Sequence, residues 1–274
     1  MKTRWTTILI ALALVAAAAP IGFGGTSQRH AARADRVDRE GEDLPERDEI
    51  NQTYQLSSGA RVEVRGINGT VDIETGAGQT AEVHIVRSAR TKEDLNYRKI
   101  LIEQSATSLV VRGDNKDQSW RDDHNVRQRV MLKIPQQVDL AVNGVNGRTS
   151  VGEIDGPVRL SGINGMVEVA QAVGFSEING INGRVNVTIS RLGERGIHVS
   201  GVNGGVELRF VDDLNADVDV TGINGNVQAD VPNVTLQGKI DRQNFHAKVG
   251  SGGSPIKVNG VNGHVRLVRA GAAG

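Results

Sequence analysis

A tetrapeptide, Gly-(Ile/Val)-Asn-Gly, occurs seven times in this chain and constrains its fold more than any other feature. The copies centre on Asn68, Asn146, Asn164, Asn182, Asn203, Asn224 and Asn262. From the second onward they are spaced 18, 18, 21, 21 and 38 residues apart, the last gap being close to two periods. A period near 20 residues signals a repeat architecture, in which each unit buries its apolar face only against its neighbours.

Aligned on the Asn, the copies share four apolar columns. Six residues before it stand Val62, Leu140, Val158, Ser176, Ile197, Val218 and Ile256, and four before it Val64, Val142, Leu160, Ile178, Val199, Val220 and Val258. Three after it come Val71, Thr149, Val167, Val185, Val206, Val227 and Val265, and five after it Ile73, Val151, Val169, Val187, Leu208, Ala229 and Leu267. The residues between are mostly polar, such as Glu63, Arg159 and Lys257 before the Asn and Asp72, Glu168 and Glu207 after it. Alternation of β-branched and polar residues marks a half-buried strand. Each unit therefore reads as strand, bend, strand and a variable connection.

The bend residues are Gly66, Asn68 and Gly69; Gly144, Asn146 and Gly147; Gly162, Asn164 and Gly165; Gly180, Asn182 and Gly183; Gly201, Asn203 and Gly204; Gly222, Asn224 and Gly225; Gly260, Asn262 and Gly263. Asn and Gly tolerate positive φ where a chain turns a corner. The earlier glycine is read as inward-facing, at a corner too tight for a side chain. Pro157 and Pro255 each directly precede a first strand, where a missing N–H is harmless.

Two all-β architectures fit. In a repeat β-solenoid, like a single-stranded β-helix, Asn-Gly marks a corner and equivalent residues stack as aliphatic and Asn ladders. In an antiparallel β-meander, each Asn-Gly closes a hairpin. Fixed register favours the solenoid, as do aromatics at only 3% of the chain, since Val and Ile fill a narrow interior well. Within the 38-residue gap, Val234, Leu236 and Gly238 keep the columns, while Ile240 and Asp241 replace Asn-Gly. This reads as a degenerate rung whose tail, Asn244, Phe245 and His246, bulges outward.

The 274 residues carry 32 basic and 32 acidic side chains, so charge gives no case for a nucleic-acid partner. Cysteine is absent, which excludes disulfides, thiolate metal sites, thiol catalysis and a lipoprotein anchor. Residues 1–25 have the pattern of a signal peptide: Lys2 and Arg4, the apolar run from Trp5 to Ala19, and an Ala-x-Ala site near Ala16–Ala18. Pro20 sits awkwardly there, so an uncleaved anchor is the alternative, although the run is shorter than the roughly 20 residues of a membrane span. Residues 26–50 read as a charged, disordered leader.

Residues 51–137 form an N-terminal β region holding the first repeat and an insertion, 138–269 the solenoid repeats, and 270–274 a tail. Strands are expected at Ala81–Arg87, Ile100–Gln104, Leu109–Arg112 and Val126–Ile134, with a short helix over roughly 91–98 started by Thr91-Lys-Glu-Asp94. Gly113 to Asn125 reads as a polar loop. The region is expected to cap one end of the stack, because an open terminal rung exposes unpaired strand edge. The last rung, ending near Arg269, is expected to be uncapped.

These residues together resemble the bacterial "putative adhesin" domain family, exported proteins with GIN-type or VNG-type repeats. The resemblance covers roughly residues 53 to 269. It rests on the opening Arg61-Val-Glu-Val-Arg-Gly-Ile-Asn-Gly69, the middle strand Val130-Met-Leu-Lys-Ile-Pro135, Val138-Asp-Leu140 and the train of Asn-Gly units. It implies a β-solenoid outside the cytoplasmic membrane and a role in adhesion or envelope association, and it supplies no catalytic residues.

No catalytic, cofactor-binding or metal-binding constellation stands out. Asp114, Asp117, Asp122, Asp123 and His124 are the densest set of potential ligands, but their spacing matches no calcium loop. Gly250-Ser-Gly-Gly-Ser254 lacks the Asp of a calcium β-roll, and Gly22-Phe-Gly-Gly-Thr26 lacks the Lys of a phosphate loop. His84, His198, His246 and His264 have no partner at useful sequence spacing, and there is no Gly-x-Ser-x-Gly elbow. The outward acids Asp72, Glu168 and Glu207 read as a solvated face. The expected function is non-enzymatic: an exported solenoid presenting polar repeat faces to cell-surface glycans, envelope components or copies of itself. An envelope-stress sensor, with 76–137 recognising a signal, is the alternative. A carbohydrate-active enzyme on a β-helix ranks third.

Overall fold

Alternating apolar and polar residues place most of the described chain in strands. The computed structural model describes residues 44–114, 126–172, 174–189, 191–211, 214–231, 234–236 and 244–270. In chain order the elements are β1 (Glu46–Gln55), β2 (Ala60–Gly76), β3 (Thr80–Ala89), α1 (Lys92–Tyr97), β4 (Ile100–Ser105), β5 (Ser108–Gly113), β6 (Arg127–Pro135), β7 (Val138–Asn146), β8 (Thr149–Ile154) and β9 (Val158–Ser161). They continue with β10 (Asn164–Ala172), β11 (Ser176–Ile189), β12 (Ile197–Asn203), β13 (Val206–Phe210), β14 (Ala216–Asn224), β15 (Val227–Asp230), β16 (Val234–Leu236), β17 (Phe245–Val249), β18 (Ser254–Asn262) and β19 (Val265–Arg269). The architecture is all-β with one short helix.

Among the described residues no Gly-x-Asn-Gly copy closes an antiparallel hairpin. β2 and β11 run through theirs without a break, and elsewhere the segment joins two strands of one rung. Successive rungs pair in parallel and in register, Asn on Asn: Asn68 with Asn146, then Asn164, Asn182 and Asn203. Because β2 and β11 cross the bend, the pairings β2–β7–β9–β11 and β2–β8–β10–β11 close a ring of six parallel strands.

Stacking order departs from chain order at both ends. β5 and β6 form a rung beneath β2, with β5 parallel to its first half and β6 to its second. β4 then pairs antiparallel with β5, β3 with β6, and β1 with β3. At the far end the last repeat, β18–β19, lies between two earlier ones. It pairs with β12 and β13 on one side and with β14 and β15 on the other. The order of rungs is therefore 108–135, 60–76, 138–154, 158–172, 176–189, 197–210, 254–269 and 216–230.

The core is the set of apolar columns. Val64, Val142, Leu160, Ile178, Val199, Val220 and Val258 are at most 1% exposed, and the Ile or Val between Gly and Asn is at most 2% exposed, from Ile67 to Val261. A rung alone shields neither face of these side chains; stacking does, at roughly 1.5–3 kcal/mol per buried side chain. A small satellite of Ala89, Leu95 and Val126 sits under α1. Thr91 caps that helix in a capping box with Asp94, and Arg87 holds its far end by donating to the carbonyls of Leu95 (2.8 Å) and Arg98 (3.1 Å).

Several expectations are corrected. Residues 46–50 are not a disordered leader but the start of β1, pinned by ten paired positions on β3. Residues 1–43 lie outside the described residues, with the signal segment and Gly22–Thr26. Among the described residues the 38-residue gap shows antiparallel strands in place of a degenerate parallel rung: β16 runs antiparallel to β17, and β17 antiparallel to β14. Phe245 does not bulge outward but is 4% exposed, because β17 lays it against β14. Ile240 and Asp241 lie outside the described residues. The last repeat is not a terminal rung, since both its edges are paired.

The roles of the two bend glycines also change. The earlier one faces outward with φ near +60°, as at Gly162 and Gly180, and a Cβ on Gly180 would lie 3.6 Å from Gly162 N. Conformation, not space, demands glycine there. The later one is the crowded site: a Cβ on Gly183 would lie 1.9 Å from Gly165 O.

Candidate functional site

The described surface offers its most regular chemistry along the bend. Each Asn side chain points out of the stack, while the residue before it points in, because positive φ at the preceding Gly shifts the phase of alternation. Each amide nitrogen donates to the amide oxygen of the next Asn: Asn146 to Asn68, Asn164 to Asn146 and Asn182 to Asn164, all at 3.1 Å. The series continues with Asn203 to Asn182 (3.2 Å), Asn262 to Asn203 (3.1 Å) and Asn224 to Asn262 (3.0 Å). At the first end Asn68 Nδ2 donates to Val126 O (3.3 Å), while its backbone N–H donates to Gln128 Oε1 (2.9 Å). All seven amides thus donate in one direction.

A second polar column runs three residues before the Asn. In stacking order it reads Arg112, Arg65, Asn143, Ser161, Asn179, Ser200, Asn259 and Thr221. Within it Asn143 Nδ2 donates to Ser161 Oγ at 2.7 Å, and Asn259 Nδ2 reaches outside it to lie 3.1 Å from His198 Nε2 on the adjacent rung. Between the columns runs the earlier-glycine column, a strip of bare backbone exposed from Gly144 onward. Arg65, Arg112 and Asn143 line a depression over Gly66 and Gly144 at one end of this strip. Rungs repeat about every 4.8 Å, so the seven amides span about 29 Å.

The outward acids are paired across or along the sheet. Asp72 faces Arg129 (3.7 Å), Glu168 pairs with Arg148, and Glu207 pairs with Arg209 (2.6 Å) and Arg266 (3.5 Å). These pairs are solvent-screened, each contributing about 0–1 kcal/mol. The histidines are not all isolated. His246 Nδ1 lies 3.2 Å from Asp219 Oδ1, a pairing made by the antiparallel β17 and invisible in repeat spacing. His84 is half-buried between β1 and β6, and His264 is exposed. Of the acidic loop only Asp114 is described; Asp117, Asp122, Asp123 and His124 lie outside the described residues. Among the described residues no group of three or more His, Cys, Asp or Glu could hold a metal ion, and no helix is long and apolar enough to cross a membrane.

Two core positions carry hydroxyls without a partner. Thr149, fully buried, replaces Val in the column three after the Asn, and Ser176, 1% exposed, replaces Val or Ile in the column six before it.

No family model matches the sequence, nor does any curated protein. Among solved structures the chain is similar to a putative cell adhesion protein from Clostridium sporogenes, with 11% identity and a TM-score of 0.45 over 82% of this chain and 100% of that one. It is also similar to a putative adhesin from Bacteroides fragilis, with 9% identity and a TM-score of 0.35 over 82% of this chain and 99% of the other. A putative lipid binding protein from Parabacteroides distasonis is 13% identical, with a TM-score of 0.24 over 80% of this chain and 96% of its own.

Proposed function

We propose that this chain is an exported, non-enzymatic β-solenoid that binds surface polymers, foremost glycans, along the bend face. The observation that carries this reading is the pair of uninterrupted polar columns flanking a strip of exposed backbone. Binding by such a surface is distributed: each repeat offers the same Asn amide at a fixed step, flanked from Asn143 onward by an Asn, Ser or Thr side chain, which suits a polymer whose hydroxyls recur. A catalytic site needs the opposite, different groups converging on one atom. The resemblance of the repeat sequences to those of the putative adhesin family supports the same reading.

The test is retention of the purified full chain on glycan arrays and cell-envelope fractions, alongside a triple variant with Ser161→Leu, Asn179→Leu and Ser200→Leu. The expected result is binding by the parent, its loss in the variant, and no oligosaccharide released from the polymer. Equal binding by both would move the site elsewhere on the surface. Release of oligosaccharide would replace the reading with an enzymatic one.

A further inference from the structure

Equivalence among the repeats leaves the far end of the stack a choice that the middle does not have. From Asn182 to Asn203 the chain advances 21 residues and climbs one rung, placing Asn203 directly on Asn182. From Asn203 to Asn224 it also advances 21 residues, yet climbs two rungs, because Asn262 lies between. A connection long enough for two steps is long enough for one. Direct stacking would set Val199 on Val220, Val202 on Ile223 and Val206 on Val227, the same apolar columns that hold the rest together. It would also bring His198 opposite Asp219.

We propose that the C-terminal repeat, 254–269, is a removable rung, and that the protein has a second stacking order in which 216–230 rests directly on 197–210. The observed order is the ground state for a physical reason. It puts Leu267, fully buried, between Leu208 and Ala229, and it leaves the weaker pair, exposed Ala229 and half-buried Val227, on the outermost rung. The loop that admits the rung hooks around the start of β14: Ser251 N donates to Asn215 Oδ1 (2.8 Å), and Gly250, Gly252 and Gly253 all have positive φ. Release of the rung would free Ile256, Val258, Val261, Val265 and Leu267, each at most 1% exposed now, as a strand donor. The proposal does not rest on the bend-face reading, although the rung supplies Asn259 and Asn262 to those columns.

The absence of cysteine allows a clean test in the full chain. Ser200 and Thr221 flank Asn259 from opposite sides, two strand spacings or about 9.6 Å apart, too far for a disulfide. In the second order they become neighbours. Three double variants are oxidised under native conditions: S200C/N259C reports the observed order, S200C/T221C the second, and S161C/S200C is a two-rung control in the middle of the stack. S200C/N259C should close fastest, and S200C/T221C should form an intramolecular disulfide at least about tenfold faster than the control. In the locked S200C/T221C form, hydrogen exchange should rise across 254–269 and stay unchanged across 138–189, which shows that the rest remains folded. Closure no faster than the control, closure only between molecules, or continued protection of 254–269 in the locked form would overturn the proposal.

Discussion

At the end of the stack formed by 108–135, both halves of the rung are covered: β4 lies on β5, and β3 with β1 beyond it lies on β6. At the end formed by 216–230, β17 covers β14, while among the described residues β15 pairs only with β19. The difference shows in burial. β6 is buried or half-buried at every residue after Arg127, whereas β15 has one half-buried residue and three exposed. The same repeat is thus a core element at one end and a loosely held edge at the other. Capping, more than repeat sequence, decides how much a rung contributes. The open edge is kept short, four residues with Asp230 at its tip, which limits edge-to-edge pairing.

The largest expected effect comes from the crowded bend glycines. Gly69→Ala would drive a Cβ to 1.8 Å from Gln128 O inside the capped end and should cost roughly 4 kcal/mol or more in urea unfolding. Gly225→Ala makes the same 1.8 Å clash with Gly263 O, but its rung can swing away, and the expected loss is about 1–2 kcal/mol. Equal losses would break the comparison. Leu132→Ala in β6 should cost about 2–5 kcal/mol, against below about 1 kcal/mol for Val227→Ala in β15, read from urea midpoints at constant slope.

A fifth substitution sharpens the comparison by strengthening a middle rung. Thr149→Val removes a buried, unpartnered hydroxyl and should stabilise by about 1 kcal/mol, seen as a rise in Tm. The smallest effect concerns the amide ladder. Asn164→Ala interrupts it on both sides and should cost about 0.5–1.5 kcal/mol, while Asn224→Ala removes a single terminal bond and should cost less by the same measurement.

Much of the fold was legible from residue columns. The positions at six and four before the Asn and three and five after it are buried in every repeat except at Val227 and Ala229 on the outermost rung, with Thr149 and Ser176 tolerated among them, and parallel register places Asn on Asn. Thr91 with Asp94 marked the helix because a capping box is local chemistry. Stacking order was not legible, for a physical reason: when every rung offers Val or Ile at the same places, any two rungs fit, and the winner depends on small differences such as Leu267 against Ala229. The inward residue between Gly and Asn was missed because alternation is broken where φ turns positive. The polar column at Ser161, Asn179 and Ser200 was visible in the alignment, but small polar residues on a strand signal solvent as readily as a site.

Seven amides that all donate in one direction give the molecule a polarity its repeats do not otherwise have. The donor at the foot of the series is engaged by the carbonyl of Val126, whereas Asn224 Oδ1 at the head accepts from no described residue. The two extremities are consequently not interchangeable chemically. Anything that lengthens the series must approach the head, and must arrive bearing a hydrogen to give.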